Sequence, residues 1–156
     1  MLSKKNIWLI VILMGLTLSI FSNVYGEDWI FYGENNRGKH YYDKISIIYL
    51  FDSKTIIRVW EKTIYDEDNR NSYIQDLMDR GISIEGMSQE GLDKLVMMIT
   101  QLEIDCKEMK YGYIESILYD KNGETLDDHS YSPIQRNRSV EKGMVIELLF
   151  KKICNF

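Results

Sequence analysis

The sequence predicts an α+β domain in which antiparallel hairpins precede a C-terminal helix. Three stretches carry that reading: β-favouring runs flanking turn residues in Asp28 to Asp43, a strand, turn, strand pattern in Leu102 to Gly123, and apolar residues stepping by four between Val140 and Ile153. At 156 residues the chain supplies one domain with a sizeable core rather than two.

Residues 1–26 read as an export leader, with Lys4 and Lys5, an uncharged apolar run from Ile7 to Phe21, and Val24-Tyr25-Gly26 ahead of the cut. The run is shorter than the ~20 residues that span a bilayer core, which favours a cleaved signal peptide over a retained anchor. The segment holds no cysteine, so it offers no acceptor for a bacterial lipoprotein anchor. Cleavage after Gly26 would leave residues 27–156 as a single exported domain, periplasmic or at the cell surface, with no membrane insertion of its own.

The chain carries 19 Lys and Arg against 24 Asp and Glu, a net charge of −5. Losing Lys4 and Lys5 makes it more acidic, which argues against nucleic acid and against docking on anionic lipid. Lys107, Lys110 and Lys121 alternate with acids, and Arg136, Arg138, Lys142, Lys151 and Lys152 make only a mildly basic C-terminal part. The two cysteines, Cys106 and Cys154, read as one disulfide in an oxidising compartment. Two buried free thiols or a redox pair are the alternatives, although the spacing is not that of a Cys-X-X-Cys pair.

Along the chain, Asp28 to Asp43 forms a hairpin with Trp29 and Phe31 on one face and Ile30 and Tyr32 on the other. Ile45 to Phe51 reads as a strand, Asp52 to Lys54 as a turn, and Thr55 to Tyr65 as a long strand alternating Ile57, Val59 and Glu61 against Ile56, Arg58, Trp60 and Lys62. After a polar break at residues 66–71, the spacing of Tyr73, Ile74, Leu77 and Met78 predicts a helix from Asn71 to Arg80, followed by a loop from Ile82 to Gly91. Leu92 to Cys106 satisfies both helical and alternating periodicity. Its β-branched second half and the following turn at Lys107 to Lys110 favour a strand from Lys94 to Asp105, paired with Tyr111 to Tyr119. Asp120-Lys121-Asn122-Gly123 is a hairpin turn, because Asn-Gly readily takes positive φ. A short strand from Glu124 to Leu126 should return from it. Asp127 to Arg138, with the single proline, reads as an irregular connection containing an extended piece at Ser132 to Gln135. Ser139 is a candidate N-cap for a helix reaching Ile153, in which Val140, Met144 and Leu148, with Val145, Leu149 and Ile153, form the apolar stripe. Gly143 inside it would cost about 1 kcal/mol.

Chemistry-bearing motifs are sparse. His40 and His129 stand far apart without local companions, so no metal site is expected. Asp66, Glu67 and Asp68 lack the glycine turn and terminal acid of a calcium loop. No Gly-X-Ser-X-Gly elbow, P-loop or GxGxxG occurs, which leaves His40 or His129 with an unspecified serine as the remote catalytic option. Asp43 and Glu61 could pair across strands. No catalytic residue, cofactor or metal is therefore assigned, no enzymatic activity is expected, and the binding residues stay unknown. Tyrosine is abundant, at 11 residues, and Tyr41, Tyr42, Tyr111, Tyr113 and Tyr119 fall in predicted strands. They either cover the core or face a partner.

Glu103 to Gly123, taken with Asp28-Trp29, Tyr41-Tyr42-Asp43, Ser46-Ile47, Arg58 to Lys62 and a last helix ending in Cys154, resembles the surface-adhesin protein E family of small exported bacterial domains. The most specific pieces are Ile104-Asp105-Cys106, Tyr119 to Gly123 and the final cysteine. The resemblance implies an antiparallel sheet of about six strands, a C-terminal helix packed on it and tied by a Cys106 to Cys154 disulfide, and adhesion to matrix or serum proteins at the bacterial surface. Where the family pattern carries a tryptophan and a second proline before the helix, this chain has Tyr131 and Gln135. The expected partner is a matrix protein, or alternatively an envelope component that the domain helps to assemble.

Overall fold

The computed structural model describes residues 28–51, 55–79, 92–134 and 136–154. The leader, the turn at Asp52 to Lys54, the loop at Ile82 to Gly91 and Gln135 lie outside the described residues. The hairpin at the start is β1 (Trp29–Asn35) and β2 (Gly38–Asp43), with a bulge between Phe31 and Gly33 that turns Tyr32 toward the inner face. Chain reversal is tight here. Gly38 has φ +146°, and a Cβ placed on it would lie 2.3 Å from the carbonyl oxygen of Ile64.

Ile45 to Phe51 is not one strand. The Asp43 carboxylate accepts from the Ile45 N–H at 3.1 Å and draws Lys44–Ser46 into a 3-10 turn, which leaves only β3 (Ile48–Leu50) extended. Ser46 holds that turn against β4 (Ile56–Ile64), donating to the Asp43 carbonyl at 2.8 Å and accepting from Trp60 N–H at 3.0 Å.

The first helix, α1 (Glu67–Asp79), begins four residues earlier than periodicity suggests. Asp66 caps it by accepting from Asn69 N–H at 2.9 Å, and Glu67 and Asp68 lie in the first turn, where the helix dipole favours acids. The acidic run is thus the helix start rather than a polar break.

The long strands match the expected ones closely: β5 (Leu95–Asp105) and β6 (Lys110–Asp120) pair antiparallel along nearly their whole length. Asp120 closes the next turn by accepting from Asn122 N–H at 2.7 Å and Glu124 N–H at 2.9 Å. The returning strand, β7 (Thr125–Ser130), runs on through residues read as irregular, because Asp127, Asp128 and His129 pair with β6 despite their polarity.

Ser139 does not cap a helix. It lies in β8 (Arg138–Ser139), paired with Lys110, and Gly143 at φ +89° turns the chain out of any helical path. The second helix, α2 (Val145–Ile153), starts six residues late. Glu147 accepts from Gly143 N–H at 2.8 Å in place of a side-chain cap. Its buried stripe is Ile146, Leu149, Phe150 and Ile153, while Met144 and Leu148 of the expected stripe are about two-fifths exposed.

Among the described residues the sheet has eight strands in the order β1-β2-β4-β5-β6-β7, with β3 beside β4 and β8 beside β6. It exceeds the six or so strands that the family resemblance implies by the short β3 and β8, which lie beside β4 and β6 off the main order. The helix α2 lies on the inner face, over Ile57, Val59, Leu102 and Ile104. Leu102, Ile104 and Leu149 have no exposed surface, and each such side chain contributes roughly 1.5–3 kcal/mol of burial. Cys106 and Cys154 are bonded, with Cα atoms 5.6 Å apart, closing a span of 48 residues. A smaller cluster of Tyr65, Leu95 and Leu118, with Tyr73 against it, sits toward α1.

Three measurements check this account. Non-reducing peptide mapping should recover Cys106 linked to Cys154, and Cys154→Ser should lower stability by about 3–4 kcal/mol in denaturant titration. Gly38→Ala should cost about 2 kcal/mol or more, read as a fall in Tm, since its Cβ meets backbone rather than a movable side chain. Hydrogen bonds, that from Glu124 N–H first, hold the Asp120 carboxyl below the usual carboxylate range. Its contribution is therefore complete above the ordinary carboxylate pKa of ~4 and is lost as pH falls through the lower folded value. Asp120→Asn should flatten the acid limb of a plot of Tm against pH; an unchanged limb would remove Asp120 from the explanation.

Candidate binding site

Register assembles the site. Across the inner face one row of opposed residues reads Tyr42, Glu61, Thr100, Ser116 and His129 from β2 to β7. The two rows nearer Cys106 are apolar or aromatic: Val59, Leu102 and Tyr113, then Ile57, Ile104 and Tyr111. The helix α2 covers the apolar rows, and the polar row borders a cavity of about 140 Å³. A bulge in β6 between the Gln101 and Leu102 pairings leaves Ile114 unopposed, so Tyr113 and Ser116 both face inward. Tyr119, also predicted in this strand, does not line that cavity.

Hydrogen-bonded polar side chains form the cavity floor. Glu61, on the otherwise apolar alternation of β4, accepts on Oε1 from the Tyr32 hydroxyl and faces His40 Nδ1 at 2.9 Å. His40 Nε2 faces Asn35 Oδ1 at 3.1 Å; that oxygen also accepts from Arg37 N–H at 2.8 Å, which identifies it as the carbonyl side of the amide. Both imidazole nitrogens therefore meet acceptors. Thr63 Oγ1 is 3.2 Å from Nδ1, and Thr100 and Ser116 hydroxyls are 3.2 Å apart. His40, Glu61, Thr63 and Thr100 are all buried, a placement tolerated because each has a partner.

Burial, with the Glu61 charge next in size, raises the Tyr32 phenol pKa far above its ordinary value, and burial likewise raises Tyr65 and Tyr113. These hydroxyls stay protonated; that of Tyr32 donates to Glu61, and that of Tyr65 is directed at Met98 Sδ, 3.9 Å away. Aromatic rings form the walls, with Tyr113 and Tyr131 centroids 5.7 Å apart and Tyr65 and Tyr73 stacked at 5.3 Å. Beyond Tyr113 and Tyr131, which line both spaces, a wider cleft of about 430 Å³ opens between His129 and Arg138. The Arg138 guanidinium lies 4.7 Å over the Tyr113 ring.

The arrangement does not resemble a nucleophile relay. Thr63 and Glu61 both approach Nδ1 of His40, while Asn35 faces Nε2, so among the described residues the hydroxyl and the carboxylate share one nitrogen instead of flanking the ring. Asp43 does not pair with Glu61. Tyr42 opposes Glu61, and Asp43 is spent on the 3-10 turn. His129 packs edge-on against Tyr131 at 4.5 Å, and no group of three metal-ligating side chains occurs among the described residues.

On the outer face, Lys62 Nζ sits 4.4 Å from the Trp29 ring centroid and 5.3 Å from that of Tyr41. Desolvation lowers the lysine pKa, opposed by the Asp43 charge. Arg58 and Arg136 reach the buried Glu103 carboxylate from two sides, at 2.9 and 3.4 Å. Sequence reasoning had no access to the polar row, since its members come from five strands; the acid in β4 was its only visible sign.

No helix among the described residues is long and apolar enough to cross a membrane. Comparison with curated protein sequences gives no match. Among solved structures, crystal form II of Haemophilus influenzae protein E shares the fold with a TM-score of 0.53 at 12% identity, covering 85% of this chain and 91% of that one. A second structure of Haemophilus influenzae protein E aligns with a TM-score of 0.49 at 11% identity, over 85% and 88% of the two chains. The model of the surface-adhesin protein E family matches residues 29–155, nearly all of the region in which sequence motifs already resembled it, and the chain belongs to that family.

Proposed function

We propose that this chain is an exported, non-enzymatic adhesion domain that binds a protein partner at the cell surface through its β3 edge. The observation that carries the reading is a run of large apolar side chains left in solvent: Ile45 is 70% exposed, Ile48 54%, Tyr49 47% and Phe51 78%. A monomeric domain of this size gains nothing from showing four such side chains within seven residues, and exposed aromatic anchors of this kind are what protein interfaces bury. Phe51 is also held at φ 63°, a strained backbone for a bulky residue, and sites of that kind cluster at binding surfaces. Among the described residues β3 pairs only with β4, so its other edge offers main-chain groups to an added strand.

Family membership supports surface exposure, and residues 1–26 act as the cleaved leader in this reading, leaving 27–156 as one domain. The Cys106 to Cys154 bond suits the oxidising compartment that export implies. A matrix protein is the expected partner. Binding of the exported protein to immobilised matrix proteins should be saturable, and Tyr49→Asp with Phe51→Asp should weaken it at least ten-fold, about 1.4 kcal/mol, at unchanged Tm. Recovery of a single stoichiometric envelope component, without matrix binding, would replace adhesion by an assembly role.

A further inference from the structure

We propose that the inner cavity and the adjoining cleft together form a saccharide-binding site, with one sugar ring seated over the Glu61, Thr100 and Ser116 row and the following units running out past Tyr131 toward Arg138. The site lies on the inner sheet face and is separate from the β3 edge.

Size comes first. The inner space of about 140 Å³ is well below the ~300 Å³ at which drug-sized sites begin, whereas the outer cleft of about 430 Å³ exceeds it. Two unequal spaces sharing the Tyr113 and Tyr131 walls suit a chain of small repeating units better than one compact ligand.

Chemistry narrows the class. An apolar ligand would leave the spare hydrogen-bonding capacity of the hydroxyls along this cavity, those of Ser116 and Tyr113 among them, without a partner. An amine or guanidinium would want the Glu61 carboxylate, yet its Oε1 already takes the Tyr32 hydroxyl and meets His40, and Arg138 stands at the outer rim. Nucleic acid is opposed by the net charge of −5. A peptide strand would seek a free sheet edge, while the polar groups here are side chains standing on the sheet face.

What remains is a neutral or weakly acidic polyhydroxyl ligand. The hydroxyls of Thr100 and Ser116, the phenols of Tyr65 and Tyr113 and the rim groups of Ser132 and Asn137 can each donate or accept, matching the mixed character of sugar hydroxyls. The Tyr131 ring, about two-fifths exposed and bordering both spaces, offers a surface against which the C–H groups of a pyranose pack. Arg138 supplies the outer cleft with a cation for an acidic unit.

The test titrates the exported protein with a neutral chitin trisaccharide and an acidic hyaluronan tetrasaccharide, followed by calorimetry and by saturation-transfer NMR, with n-butylamine as the cationic control. Saturable binding of either saccharide is expected, weakened at least ten-fold by Tyr131→Ala and by Ser116→Val at unchanged Tm. Arg138→Gln should weaken the acidic probe more than the neutral one. The Tyr49→Asp and Phe51→Asp variant should leave saccharide binding intact, which separates this site from the protein-binding edge. Absence of saturable binding by both saccharides at about 10 mM, saturation by butylamine alone, or binding untouched by both Tyr131→Ala and Ser116→Val would overturn the proposal.

Discussion

Cys154 follows directly on the last turn of α2, and its bond to Cys106 at the end of β5 places that end of the helix over one end of the sheet. The rest of the inner face is arranged around that placement. A nine-residue helix is too short to cover a sheet of six strand positions, so it buries the rows built on Ile57 with Ile104 and Val59 with Leu102, and stops. Its contact with β1 is close: a Cβ on Gly33 would come within 2.8 Å of Leu148. Helices of this length are marginal by themselves, so packing and the crosslink hold this one in place.

Beyond the edge of α2 the same sheet face changes character within one register step, from Val59 and Leu102 to Glu61 and Thr100. A carboxylate and an imidazole in such a position are costly unless hydrogen-bonded; Tyr32 meets Glu61 Oε1, and Asn35 and Thr63 meet the two His40 nitrogens. The network ties β1, β2 and β4 together through side chains as well as through backbone pairing. It also keeps a hydrophilic floor beneath aromatic walls, which a purely apolar core would have closed. The outer face solves a similar problem differently, with Lys62 against Trp29 and Tyr41, and Glu103 held between two arginines.

Long-range placement accounts for each departure from the local reading. Gly143 looks like a defect inside a helix when only apolar steps are counted; in the fold it is a left-handed turn, and Ser139 goes to a strand because Lys110 is there to pair with it. Asp127 to His129 are poor strand formers, yet β6 offers them an edge. Asp66 to Asp68 are equally compatible with a solvated loop and with a helix start, and the cap bond to Asn69 decides between them.

The sequence by itself determined the opening hairpin, the long β4, β5 and β6 strands, the Asp120 turn, the existence of a terminal helix before Cys154 and the family, because these rest on periods of two or four and on turn residues that act within a few positions. The packed fold decides where that helix begins and which of its faces is buried, how little of Ile45 to Phe51 is extended, the β8 strand, and the row from Tyr42 through Glu61, Thr100 and Ser116 to His129. That row depends on the register of four strand pairings and on a bulge at Ile114, quantities set by the packing of the whole sheet.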